Sequence, residues 1–246
     1  MEIRQYLDST YLKTAQQAGL SESANTEVVT QCVAEAIAEG FKLAMIRPEH
    51  VAMARKMVDA AKSSVLVGTV IDFPKGQSSI QDKLSEAARA IADGADELDF
   101  VCNYNAFKDG DTDLLKEEIF ACTKFGLDHM KTVKWIIEVA ALNDMEIARI
   151  SALIKAVVVT HFEGHYNQVF VKSSTGFYAT EAGKPNGATI PSVTIMLENA
   201  APLPVKAAGG VRTFDEAVEM VNLGVTRIGT SAAKTIAEGG TSQNAY

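Results

Sequence analysis

Two lysines, each closing an apolar run and each followed by a glycine-containing turn, are the residues of this chain best placed for chemistry. Lys172 follows Val169-Phe170-Val171 and opens Ser173-Ser174-Thr175-Gly176. Lys206 follows Leu203-Pro204-Val205 and opens Ala207-Ala208-Gly209-Gly210-Val211-Arg212. An ammonium at the end of a buried strand sits where desolvation disfavours its charge, which leaves a neutral, nucleophilic amine. Neighbouring strands lie about 4.8 Å apart, so two such ammoniums cannot both stay charged cheaply and one is driven neutral. That is the arrangement for Schiff-base chemistry. The competing reading is two unrelated lysines that carry their charges out to solvent.

The turns behind the lysines form a second constellation. Ser174-Thr175-Gly176, Gly209-Gly210-Val211 and Gly229-Thr230-Ser231 follow three successive apolar segments. Glycine lets backbone amides approach a ligand closely, and a helix start after Thr230 adds partial positive charge, so the set suits a phosphate. Plain strand-to-helix turns that need glycine are the alternative. The remaining charged residues at strand ends are Asp8, Asp72, Asp99, Lys134 and Glu138. Three lysines and several carboxylates can neutralise one another in a barrel centre, where an unpaired charge is costly.

These positions need a scaffold of alternating elements. Apolar strands are expected at Tyr6–Thr10, Leu43–Ile46, Ser64–Ile71, Leu98–Cys102, Val133–Val139, Val169–Val171, Leu203–Lys206 and Thr226–Ser231. Helical spacing runs over Asn25–Ala38, His50–Ala61, Ile80–Ile91, Leu114–Phe125, Asp144–Val159, Thr189–Asn199 and from Thr213 to Gly224. The Val157-Val158-Val159 end reads equally as strand. Thr213-Phe214-Asp215-Glu216 is a capping box. Strands that are apolar throughout belong to a parallel sheet covered on both faces. Eight such units in 246 residues without a linker predict an α/β fold, a closed (β/α)8 TIM barrel. No GxGxxG follows the first strands, which removes the usual dinucleotide signal. Residues 1–238 are expected to form a single catalytic domain and residues 239–246 a flexible tail.

Bulk composition limits the partners. A hydrophobic content of 47% and a charged content of 22% describe a globular protein with a sizeable core. The formal charge of -8, with no basic run, argues against nucleic acid and anionic membrane. No apolar run approaches about 18 residues, and the first residues lack a secretory pattern, so a cytoplasmic protein is expected. Cys32, Cys102 and Cys122 share no CxxC spacing and read as reduced core residues. His161 and His165 have i,i+4 spacing, but Phe162-Glu163-Gly164 between them favours a loop over a metal-bearing helix.

The chain resembles the deoxyribose-phosphate aldolases, class I aldolases on a TIM barrel, over nearly its whole length. The matching motifs are Val70-Ile71-Asp72-Phe73-Pro74-Lys75-Gly76, Gly94-Ala95-Asp96-Glu97-Leu98-Asp99 and Lys134-Trp135-Ile136-Ile137-Glu138. Phe170 to Gly176 and Lys206 to Arg212 complete the set, and these two are the specific pair. The resemblance implies reversible cleavage of 2-deoxy-D-ribose 5-phosphate to D-glyceraldehyde 3-phosphate and acetaldehyde, with no metal or other cofactor. It implies Lys172 as the Schiff-base lysine, Lys206 as the lysine that lowers its pKa, and Asp99 as the acid of a water-assisted proton shuttle. Lys134 and Asp8 become supporting charges, and Tyr246 a residue that reaches the site. Phosphate falls on Gly176, Gly209, Gly210, Gly229, Thr230 and Ser231, and the small phosphorylated sugar is the partner of a protein for which the family allows a homodimer. Ser9 stands where the family often has histidine, and Met45 where it usually has cysteine. A related Schiff-base aldolase for another sugar phosphate, or a non-catalytic sugar-phosphate-binding barrel, remains open on the sequence.

Overall fold

The computed structural model describes residues 2–181 and 183–240. Its strands are β1 (Leu7–Thr10), β2 (Leu43–Ile46), β3 (Leu66–Ile71), β4 (Glu97–Val101), β5 (Thr132–Ile136), β6 (Val169–Lys172), β7 (Val205–Ala208) and β8 (Arg227–Thr230). Each pairs in parallel with the next, and β8 closes on β1, giving a closed eight-stranded barrel. The helices are α1 (Ala15–Ala18), α2 (Glu22–Glu39), α3 (Val51–Ala60), α4 (Ile80–Ala92), α5 (Tyr104–Lys108), α6 (Thr112–Asp128), α7 (Asp144–His161), α8 (Ile190–Ala200), α9 (Phe214–Leu223) and α10 (Ala233–Ala237). No helix among the described residues is long and apolar enough to cross a membrane.

Side-chain caps set the helix starts. Ser21, Ser79, Asn143, Thr189 and Thr213 accept from the third residue on, satisfying amide groups that the first turn leaves free. The Thr213–Glu216 capping box is present. Outward-facing strand residues such as Phe100 and Trp135 stack at 5.3 Å between sheet and helices. Leu12, Leu43, Met45 and Val70 fill a separate apolar cluster. The departure at Met45 is therefore met by a fully buried, flexible side chain packed among aliphatic neighbours.

Three local expectations change. Val157-Val158-Val159 is helical, because α7 runs on to His161 with Val157 and Val158 buried. His161 thus lies in a helix and packs edge-on to Phe120 at 5.0 Å, while His165 lies beyond the helix end. β5 stops at Ile136; Glu138 adopts a left-handed backbone, φ 58, and leaves the strand direction. Cys102 and Cys122 are buried and free, whereas Cys32 is half-buried with Ser9 Oγ at 3.5 Å.

Outside the barrel centre, Lys83 is fully buried and ties three segments together. Its ammonium donates to Val101 O at 2.7 Å, to Gly76 O at 3.1 Å and to Glu118. Asp72 belongs to this strut, 3.4 Å from Lys83 Nζ and hydrogen-bonded to Ser78. Its left-handed backbone, φ 55, turns it away from the lysines of the barrel. Lys83→Met leaves Glu118 buried without its cation and is expected to cost about 3–5 kcal/mol. Urea denaturation checks this, and an unchanged midpoint would contradict the strut.

Candidate active site

Alternate residues of each strand face the barrel interior, and register decides which of them meet. Lys172 pairs with Lys206 across β6 and β7, and Lys206 with Arg227 across β7 and β8. Asp99 pairs with Lys134 across β4 and β5. Asp8 on β1 and Glu97 at the start of β4 complete a set of buried charges. Lys206 is the second residue of β7, which continues through Ala208, so it sits deeper than the strand end expected for it.

Asp99 is the centre of this set. Its Oδ2 accepts from Lys172 Nζ at 2.8 Å and from Lys206 Nζ at 3.0 Å, and its Oδ1 accepts from Lys134 Nζ at 2.7 Å. Both amines that the sequence brought into question therefore share one oxygen atom. Lys134 also donates to Glu97, and Lys206 forms an ion pair with Asp8 at 2.6 Å. Arg227 bridges the two outer acids, reaching Asp8 Oδ1 at 2.6 Å and Glu97 Oε1 at 3.0 Å. Neither Arg227 nor Glu97 was singled out from sequence. Each is the first residue of its strand and is followed there by an apolar residue.

The formal charges do not balance. Asp8, Glu97 and Asp99 offset Lys134, Lys206 and Arg227, which leaves Lys172 as the surplus cation. Burial pushes the Lys172 amine down to about 8; Lys206 and Lys134 act in the same direction, against Asp99. Desolvation therefore leads, and crowding by Lys206, expected to be the main cause, comes second among the lowering effects. Burial alone would raise Asp99, but Lys134, Lys172 and Lys206 together hold its carboxyl well below the usual range. Lys134 loses by burial and gains more from Asp99 and Glu97, so its net shift is upward.

The glycine turns meet at the mouth. A Cβ on Gly209 would stand 3.0 Å from Gly187 Cα and 3.8 Å from Gly176 Cα, at a φ of 75. Only glycine allows that approach of two loops. Thr230 Oγ1 donates to Val211 O at 2.8 Å, joining the turn after β7 to β8, and Ser231 is exposed. Gly229 lies within β8, where a Cβ would come 3.2 Å from Lys206 Cε, so its smallness makes room for the lysine stem. Beside Gly210 opens a cavity of about 360 Å³ lined by Lys184, Asn186, Gly187 and Arg212. Tyr246 lies outside the described residues.

A lysine with a depressed pKa, held in a charged barrel core beside glycine turns, is the equipment of an imine-forming enzyme. The DeoC/LacD family aldolase profile matches residues 8–233. The chain belongs to this family of aldolases. It is 37% identical over 240 residues to a deoxyribose-phosphate aldolase of Thermococcus gammatolerans, covering 97% of this chain and 96% of that one. It is 40% identical to deoxyribose-phosphate aldolase 1 of Staphylococcus aureus, over 97% of both chains. Among solved structures, the tetrameric deoxyribose phosphate aldolase of Aeropyrum pernix superposes with a TM-score of 0.77 at 28% identity, covering 96% of this chain and 89% of that one.

The charge balance of this aldolase barrel makes a signed prediction. Lys134→Met removes a cation, so the surplus disappears and the Lys172 pKa should rise. Glu97→Gln removes an anion, so the Lys172 pKa should fall. Reductive alkylation of Lys172, followed by mass spectrometry across pH, reads both. Shifts in the same direction would contradict electrostatic control.

Proposed function

We propose that this aldolase reversibly cleaves 2-deoxy-D-ribose 5-phosphate to D-glyceraldehyde 3-phosphate and acetaldehyde, through an imine on Lys172. The observation that carries this reading is the shared Asp99 oxygen: it orients two amines at once while burial keeps one of them close to neutral. The neutral amine adds to C1 of the open-chain aldehyde, and loss of water gives an iminium ion. The iminium draws the electrons of the C2–C3 bond, releasing the phosphorylated aldehyde as the C3 hydroxyl loses its proton. The resulting enamine takes a proton at C2, and water then frees acetaldehyde.

In this scheme Lys206 moves the proton and Asp99 orients it. Asp99, held ionised by three ammoniums, keeps Lys172 and Lys206 aimed at the same reacting carbons. Lys134 and Asp8 fix the two ends of that relay. The phosphate is proposed to rest on the amides of Gly176, Gly209, Gly210, Gly229 and Thr230 with the Ser231 hydroxyl. Lys184 and Arg212, beside Gly210, supply nearby positive charge. Residues 1–238 are proposed to act as one catalytic unit, in a homodimer, in the cytoplasm.

Borohydride trapping with acetaldehyde tests the core of the scheme. The expected product is an ethyl adduct on Lys172, and Lys172→Leu should abolish cleavage while far-UV circular dichroism stays native. Activity near wild type in that variant would overturn the assignment. Lys206→Leu takes away one of the charges that depress Lys172. Its pH–rate profile should move to higher pH and its turnover should fall by about 10²–10⁴-fold, the usual scale for a lost proton-transfer group. A profile that stays in place would contradict the role given to Lys206.

A further inference from the structure

The turn after β6 carries Gly176, one of the amides assigned to the phosphate, and the carboxylate that holds this turn comes from another strand's loop. β5 stops at Ile136, yet its chain runs on beside the end of β6. Ile137 N donates to Lys172 O at 3.0 Å and Val139 N to Ser173 O at 2.9 Å. Glu138 stands between these two bonds, 1% exposed, with a left-handed backbone, φ 58. That conformation is costly for a residue with a side chain and persists only where its surroundings over-determine it.

The side chain of Glu138 ends on Thr175. Its Oε2 accepts from the Thr175 amide at 3.2 Å and from the Thr175 hydroxyl. The hydroxyl oxygen accepts in turn from Phe177 N at 3.0 Å. From the other side, Asn186 Nδ2 donates to Gly176 O at 3.1 Å. The peptide unit before Thr175 and the unit before Phe177 are therefore both held. The unit between them carries the Gly176 N–H. Each residue has only two soft dihedrals, so fixing the planes on either side sets the direction of that N–H. Ser173 adds the link to β7: its Oγ donates to Ala208 O at 2.9 Å and accepts from Ala208 N at 2.9 Å, next to Gly209.

The geometry points to Glu138 as a positioning residue for phosphate recognition: acting through Thr175, its carboxylate aims the Gly176 amide at the phosphate of the substrate. This rests on the reading above that places phosphate on the glycine turns, and it gives Glu138 no part in the proton transfers at Lys172. An amide already aimed binds an anion without the cost of being ordered first. What the turn needs is an acceptor, not a charge. Both Thr175 bonds fall on Oε2, and Oε1 has no hydrogen-bond partner among the described residues. A proton on Oε1 leaves the Thr175 bonds intact, and burial pushes the carboxyl up to about 7 without loosening the turn.

The test compares a substrate that has a phosphate with one that does not. Glu138→Ala removes the acceptor. KM for 2-deoxy-D-ribose 5-phosphate should rise about 10-fold, the scale of one well-placed hydrogen bond. Turnover at saturation, and the rate at which borohydride traps acetaldehyde on Lys172, should stay at wild type. Glu138→Gln puts an acceptor back and should restore KM. Thr175→Val cuts the link from the other end, and the double variant should raise KM by less than the product of the two single effects. A Glu138→Ala enzyme with wild-type KM overturns the proposal. So does one whose acetaldehyde trapping slows as much as its phosphorylated substrate weakens, which marks a general structural role. If the variants do not fold, nuclear magnetic resonance of the wild type with isotope-labelled glycine decides. Inorganic phosphate should shift the Gly176 amide together with that of Gly209; a Gly176 signal that stays in place while Gly209 moves overturns the proposal. Movement of neither would instead strike the phosphate site itself.

Discussion

The site depends on an odd number of charges in a space that admits almost no water. Asp8, Glu97, Asp99, Lys134, Lys206 and Arg227 compensate one another through direct contacts. Lys172 is the seventh, and Asp99 Oδ2, its one anionic contact, is already shared with Lys206. A buried ion is tolerated only when paired well, so the group left over is the one whose proton is held least firmly. Reactivity here is a property of the whole set. No single neighbour of Lys172 produces it, and Asp99 taken alone works against it.

Only a closed parallel barrel assembles such a set from these positions. The seven groups come from β1, β4, β5, β6, β7 and β8, and the closure of β8 on β1 lets Arg227 hold Asp8 while Glu97 lies across the barrel. Parallel pairing stacks residues of like facing, so Lys172 and Lys206 meet by register and not by chance of side-chain flexibility. The loops then do separate work. Gly176, Gly187 and Gly209 bring bare backbone together on one side of the mouth. On the other, Lys83 holds the loop from Asp72 to Ser78 against β4 and α6. Rigid strands carry the charged groups, and the adaptable loops shape what reaches them.

Much of this was legible in the sequence because charge inside an apolar run is a strong signal. Lys172, Lys206, Asp99 and Lys134 each broke a strand-like pattern, and the repeat of strand and helix gave the barrel. Glu97 escaped because it opens β4 just ahead of the strand expected at Leu98–Cys102, and Arg227 because it stands at the start of β8, far from the strand end where a site is sought. Desolvation of Lys172 was legible too, but its rank above crowding by Lys206 was not, since the degree of burial is a property of packing and not of spacing. Gly229 was legible as a glycine but not for its reason: the Lys206 stem that needs the space comes from the neighbouring strand. Asp72 read as an acid just past a strand and Glu138 as one inside a strand, whereas both lie beyond their strand ends. The backbone sends the first to the Lys83 strut and the second to a cavity lined by aromatic rings.

Two carboxyls of this barrel are pushed in opposite directions, one by charge and the other by burial. Asp99 lies under three ammoniums and stays ionised; Glu138 lies against Tyr104 and Tyr178 and holds its proton to about 7. With Lys172 neutral, the barrel set sums to zero. Formation of the iminium restores the one positive charge that the resting ammonium carried beside Asp99. Ammonium and iminium carry the same charge, so the site that loosens the Lys172 proton holds the intermediate through Asp99 Oδ2, the anionic contact that Lys172 already has.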